Sequence, residues 1–157
     1  MNGYERISDQ YGFLYEFRDP CNAASILQLG MFLLSFVVTY PVWWCGTIGI
    51  IVSLIGYYGS KQPVLQNKVS FLHFYYFSNY FLMLLELSSL VLLVLDVTKW
   101  SAMDLWAWFV LVFGCIAIVS EFYVTYMAIQ RAYAYRAELM RNPPPNVNPT
   151  MEQLYYE

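Results

Sequence analysis

Four long apolar segments, separated by short polar turns, organise this sequence. The first follows Asp19-Pro20, a helix cap with proline in the first turn, and runs to about Tyr40. The second opens at Pro41 and ends near Ser60. The third covers about 69–95, and the fourth starts near Leu105 and stays apolar to about Ile129. A hydrocarbon core about 30 Å thick needs about 20 apolar residues of helix, so each segment reads as a membrane span. As one helix, residues 20–60 would reach about 60 Å, which points instead to a tight hairpin. Pro41 cannot continue the preceding helix but can open the next. Lys61–Lys68 and Asp96–Asp104 are the next two turns. Beyond Ile129 the helical pattern continues through QRAYAYRAELMRN into water and stops at Pro143-Pro144-Pro145.

The predicted fold is therefore all-α: an integral membrane four-helix bundle over 20–141, with both termini cytosolic and short outer loops. A cytosolic aromatic segment, 1–19, precedes it. A proline- and asparagine-rich tail, 142–157, follows and is expected to stay disordered until bound.

Within the second span, Gly46, Gly49, Ser53, Gly56 and Ser60 recur at spacings of three and four. On a helix they form one stripe. In lipid, where helix association gains little from hydrophobicity, such a stripe predicts close backbone approach to neighbouring helices. Gly114 has the same expected role on the fourth span, where Ala107, Gly114, Glu121 and Ala128 recur every seven residues.

Composition agrees with a membrane solvent. The 157 residues are 59% hydrophobic, 20% aromatic and 12% charged, with a mean hydropathy of +0.45. Soluble domains are about a quarter charged. The net charge of -3 gives no footprint for a nucleic-acid partner. Residues 1–19 lack the basic start and small-residue cleavage site of a signal peptide, so the first span is expected to act as an uncleaved signal-anchor.

Orientation follows from the cations. With both termini in the cytosol, Arg6, Arg18, Lys61, Lys68, Arg131, Arg136 and Arg141 lie inside and only Lys99 outside. Trp43, Trp44, Trp100, Trp106 and Trp108 gather at the two outer turns as an aromatic belt.

Candidate chemistry is sparse. Cys21, Cys45 and Cys115 have neither disulfide nor metal spacing. Cys21 abuts a span entry, where S-palmitoylation occurs. His73 is the only histidine, so no His pair can share a metal. Neither a Ser-His-Asp set nor a phosphate loop is present; no cofactor, metal or enzymatic activity is expected.

Two acids, Glu86 and Glu121, lie inside spans, and intramembrane ionisable groups are costly and functional by default. Asn79 and Glu86 share a face of the third span. With antiparallel spans centred near residues 82 and 117, the two acids would be offset by about 12 Å. That depth estimate pairs Asn79 with Glu121, and Ser35 and Thr47 with Glu86. The expected result is two separate polar locks, with at least one acid protonated because a desolvated carboxylate is costly. A proton or cation path along the acids is the competing expectation.

The cytosolic ends carry short signals. Tyr4-Glu5-Arg6-Ile7 and Tyr11-Gly12-Phe13-Leu14 fit a tyrosine-based sorting pattern, or an aromatic segment lying on headgroups. The prolines of the tail offer a polyproline segment to a cytosolic adaptor. Tyr155 and Tyr156 are candidate phosphorylation sites.

With four spans, inside termini and minimal outer loops, the chain resembles the membrane-spanning four-domain family, the group of the B-cell tetraspan antigen. Tyr40-Pro41-Val42-Trp43-Trp44 leading to Ser53 and Gly56 is similar to that family's second span, and Ser120-Glu121-Phe122 to its Leu-Glu-Phe element. Sarcospan-like tetraspans fit the same outline. The resemblance implies a non-enzymatic protein that oligomerises or accompanies receptors and channels. The partners expected are membrane lipids and other membrane subunits, at the plasma or endosomal membrane. A homo-oligomeric channel or transporter using the intramembrane acids is the alternative.

Overall fold

The computed structural model describes residues 15–62, 64–98 and 105–144. Among them every regular element is helical. Helix α1 is Arg18–Ser35, a 3-10 turn covers Tyr40–Val42, α2 is Trp43–Ser60, α3 is Gln66–Thr98 and α4 is Leu105–Arg141. Each helix packs on its neighbours in the chain, and α1 packs on α4 to close a four-membered ring. Short connections force this antiparallel order. Tyr4, Ile7, Tyr11, Leu14, Lys99, Trp100, Tyr155 and Tyr156 lie outside the described residues.

Three stretches are long and apolar enough to cross a membrane: Tyr40–Ser60, Gln66–Leu95 and Leu105–Arg141. Helix α1 is shorter and less apolar. Its 18 residues reach about 27 Å. It ends at Ser35, not near Tyr40. The Ser35 carbonyl accepts from the backbone N–H groups of Val38 and Thr39, each at 2.9 Å, and from the Thr39 hydroxyl at 3.0 Å. This knot turns the chain into the 3-10 segment, where the N–H that Pro41 lacks is not needed.

The start of α1 also differs from expectation. Asp19 does not cap it; the helix begins at Arg18, and Asp19 instead pairs with Arg18 at 2.6 Å. The capping carboxylate comes from α4. Glu138 accepts from the N–H groups of Glu16 and Phe17 at 2.7 and 3.0 Å. Beside it the Tyr15 hydroxyl donates to the Asn142 carbonyl at 2.7 Å, and the Tyr15 ring meets Tyr135 edge-on. An anion at a helix N-terminus satisfies orphan amides and complements the helix dipole. Truncating Glu138 to alanine is therefore expected to weaken the α1 end by about 1 kcal/mol. Hydrogen exchange should show faster exchange at the amides of Glu16 and Phe17 while the middle of α1 keeps its protection. Uniform loss along α1 would mean the carboxylate does something other than cap.

The two ends of the bundle differ in chemistry. Arg18, Lys61, Lys68, Arg136 and Arg141 lie toward one end, joined by a Lys68 ammonium donating to the Lys61 carbonyl at 3.0 Å and by contact of Arg18 with Gln62. Trp43, Trp44, Trp106 and Trp108 lie toward the other. Between them, large apolar side chains such as Leu34, Ile51, Leu84 and Ile116 face outward from all four helices. That is the pattern a lipid solvent requires.

Inside the ring, Gly46, Gly49, Ser53, Gly56 and Ser60 are all buried on one stripe of α2. Their use differs from the expected backbone approach. A Cβ on Gly49 would lie 2.5 Å from the Phe32 ring, one on Gly56 would collide with the Tyr75 ring, and one on Gly46 would lie 3.0 Å from Phe36. These glycines are seats for aromatic rings from α1, from Phe36 just past its end, and from α3. Only Gly59 meets a neighbouring helix's backbone: a Cβ on it would lie 3.1 Å from the Leu72 nitrogen. Gly114 on α4 makes room for Leu93 and for the Val38 carbonyl oxygen.

Candidate functional site

The rings that fill the glycine stripe leave the centre of the bundle to polar side chains. Cys21, Ser25, Gln28, Phe32 and Ser35 recur along α1 at spacings of four and three, and all are buried. The same phase on α3 buries Tyr75, Asn79, Leu82, Glu86 and Ser89, and on α4 it buries Gly114, Glu121, Thr125 and Ala128. Three polar faces therefore converge opposite the small residues of α2.

Gln28 is the hub. Its Oε1 accepts from the Tyr75 hydroxyl at 2.9 Å. Its Nε2 donates to Asn79 Oδ1 at 2.7 Å and to Thr125 Oγ1 at 3.2 Å. Thr125 in turn donates to Glu86 Oε1 at 2.7 Å. Asn79 Nδ2 donates to the Tyr75 carbonyl at 2.8 Å. The bonds form a chain: Tyr75 gives to Gln28, Gln28 to Thr125, and Thr125 to Glu86. The donors run in one direction and end on a carboxylate. Glu86 Oε2 has no hydrogen-bond partner, although the side chain is fully buried.

Glu121 makes a separate contact. Its Oε1 accepts from the Ser35 hydroxyl. Thr125, which touches Glu86, is four residues from Glu121 on the same helix, so the two acids differ in depth by about one helical turn, 6 Å. They are close enough to interact electrostatically. Cys45 on α2 lies beside Ser89 and within electrostatic reach of both acids.

The structure corrects the depths expected from sequence. Ser35 meets Glu121 rather than Glu86, Asn79 meets Gln28 and Tyr75 rather than Glu121, and Thr47 bonds the Trp43 carbonyl at 3.0 Å on its own helix. The two helices extend unequally: α4 continues to Arg141, far past Ile129, whereas α3, Gln66–Thr98, stays centred on its apolar segment, so apolar midpoints do not define the register.

Cys21 is fully buried in the core, which removes it as an accessible acceptor for an acyl chain. His73 is half-buried and lies near Arg136. Among the described residues, no three His, Cys, Asp or Glu side chains form a metal-binding group. Motif and charge patterns in the sequence do not single out Gln28 or Thr125. A signal is nonetheless present: Gln28 shares the four-three phase of Cys21, Ser25 and Ser35, and Thr125 is one turn from Glu121.

The arrangement gives three helices, α1, α3 and α4, a shared internal hydrogen-bond network. Comparison with known proteins found no matching family model, no matching curated protein and no matching solved structure.

Proposed function

We propose that the chain is a tetraspan membrane protein, with both termini cytosolic, that serves as a non-enzymatic accessory or scaffold subunit of a larger membrane complex. The observation that carries this reading is the division of the molecule into a polar interior bonded mainly to itself and an apolar exterior. Inside, Gln28, Asn79, Tyr75 and Thr125 spend their hydrogen bonds on one another. Outside, an apolar belt is free for lipid and for other spans.

Helix α1 supplies the fourth crossing in this reading. Its polar residues Ser25, Gln28 and Ser35 are the buried ones, whereas Ile26, Leu27, Leu33 and Leu34 face outward. A low average apolarity is what a span with a polar inner face must have, since the ring supplies its partners. The basic end supports a cytosolic assignment for both termini, and the resemblance to four-span families favours an accessory role at the plasma or endosomal membrane. The tails would then engage cytosolic adaptors.

Gentle detergent purification followed by mass spectrometry of co-purifying chains tests the reading. A reproducible membrane subunit at fixed stoichiometry is the expected result. One specific observation favours a second reading, a proton or cation conductor: the unpartnered, buried Glu86 Oε2. Reconstitution of the purified chain alone into liposomes separates the two. No flux is expected. Flux that disappears in Glu86→Gln or Glu121→Gln, with assembly intact, would replace the scaffold reading.

A further inference from the structure

At the basic end, cations are matched to rings rather than to acids. Arg18–Asp19 is the only ion pair among the described residues. The Lys61 ammonium stands 5.6 Å from the centre of Tyr57, and Lys68 stands 5.2 Å from Tyr58. The Arg136 guanidinium stands 5.2 Å from both Tyr76 and Phe77. Lys68 has a further partner in the Lys61 carbonyl. Arg136 has none beyond the rings, and its Nε is sealed from solvent without a hydrogen bond. The acid nearest along α4, Glu138, is turned to α1, where it caps Glu16 and Phe17.

Arg136 on α4 lies over rings of α3, in an aromatic cluster where the two helices meet. Tyr76 is central to it: its ring centre lies 5.2 Å from Phe77, 5.3 Å from Tyr80 and 6.2 Å from Tyr133. The Tyr76 and Tyr80 hydroxyls pair at 3.0 Å. His73 lies one turn away on the same face of α3 and within electrostatic reach of Arg136. A cation held by aromatic faces, with hydroxyls and an imidazole beside it, is a donor set for an oxyanion. Its depth suits one source. Arg136 lies about 10 Å along α4 beyond Ile129, where the apolar run ends, in the zone of headgroups and aromatic belts.

We infer that the α3–α4 aromatic cluster at Arg136 binds the headgroup phosphate of one anionic phospholipid. The inference rests on the membrane reading and is independent of the scaffold role. The guanidinium gives the charge-assisted bonds, the tyrosine hydroxyls and His73 add polar contacts, and the outward apolar faces of Phe77 and Phe81 receive the acyl chains. Among the described basic residues, Arg136 is set apart by this aromatic frame; Arg131 is exposed on the same helix.

Native mass spectrometry of the detergent-extracted protein, delipidated and then titrated with phosphatidylglycerol or phosphatidylcholine, tests it. Wild type is expected to retain one phosphatidylglycerol in preference to phosphatidylcholine. Arg136→Gln should lower that retention about fivefold, the weight of one basic side chain at an anionic surface, while Arg131→Gln leaves it unchanged. Arg136→Lys should keep most of it. Equal retention of the two lipids by wild type overturns the inference, even if Arg136→Gln fails to fold. So does equal loss in Arg136→Gln and Arg131→Gln. Displacement of the lipid by millimolar inorganic phosphate would mark a soluble-anion site and overturn the lipid assignment. A chain that stays soluble without detergent would instead sink the membrane reading itself.

Discussion

Replacing Gly56 with alanine is expected to loosen the bundle by about 1–3 kcal/mol, the usual cost of overpacking a filled interior. The added methyl would overlap the Tyr75 ring. In an open site a ring turns away cheaply. Tyr75 cannot: it is fully buried, and its hydroxyl is bonded to Gln28 at 2.9 Å. Moving the ring breaks the bond that begins the polar network. The steric effect therefore becomes a hydrogen-bonding effect on a different helix. Reversible unfolding in mixed micelles, read by circular dichroism, gives the loss. A double-mutant cycle with Tyr75→Ala identifies its source. Strong coupling is expected, because the methyl costs little once the ring is gone. Additive losses would show that Gly56 acts without Tyr75. The same logic applies to Gly49 and Phe32, where the ring lies 2.5 Å from the added methyl. There no hydrogen bond is at stake, so a smaller loss is expected than at Gly56.

The second large effect centres on Gln28. Its amide holds three side chains from two other helices: Tyr75, Asn79 and Thr125. Individual interhelical hydrogen bonds in membrane proteins average about 0.6 kcal/mol, so three lost together suggest about 2 kcal/mol for Gln28→Leu. Leucine is close enough in size to leave no large void, so the loss reports the bonds and the orphaned partners. Gln28→Glu offers a sharper comparison. It keeps the length and the acceptor for Tyr75 but removes the donors to Asn79 and Thr125, and it adds a carboxyl near Glu86. A loss at least as large as with leucine is expected. If both variants unfolded like wild type, the network would be incidental to stability. Thr125→Val should follow the same direction with a smaller loss, since it severs the links to Gln28 and Glu86 only.

These effects bear on the two functional readings in different ways. A scaffold needs the network intact, and every variant that breaks it should reduce co-purification of partners in proportion to the lost stability. A conductor needs Glu86 and Glu121 for chemistry, and glutamine at either position would remove flux without reducing stability. Measuring stability and flux on the same variants therefore separates a lock from a path.

The sequence determined a great deal by local rules. Apolar segment lengths marked the helices, and prolines and charged turns separated them. One phase of small residues fixed which face of α2 is buried, and the same phase fixed the inward faces carrying Glu86 and Glu121. Each of these follows from helix period or span length, which are properties of neighbours in the chain. The tertiary structure alone decided which inward groups meet. Register between α3 and α4 is set by which side chains pack against one another, not by the midpoints of the apolar segments. It therefore took the fold to bring Thr125 to Glu86 and Ser35 to Glu121. The same holds for the start of α1, where Asp19 gave the local signal for a cap, yet Glu138, more than a hundred residues away, provides it. Glycine in the sequence announced close approach; only the folded ring revealed that aromatic side chains come close at Gly46, Gly49 and Gly56, and a neighbouring helix's backbone only at Gly59. Helix period tells a chain which face to hide, but complementary shape between distant faces chooses what is hidden against it.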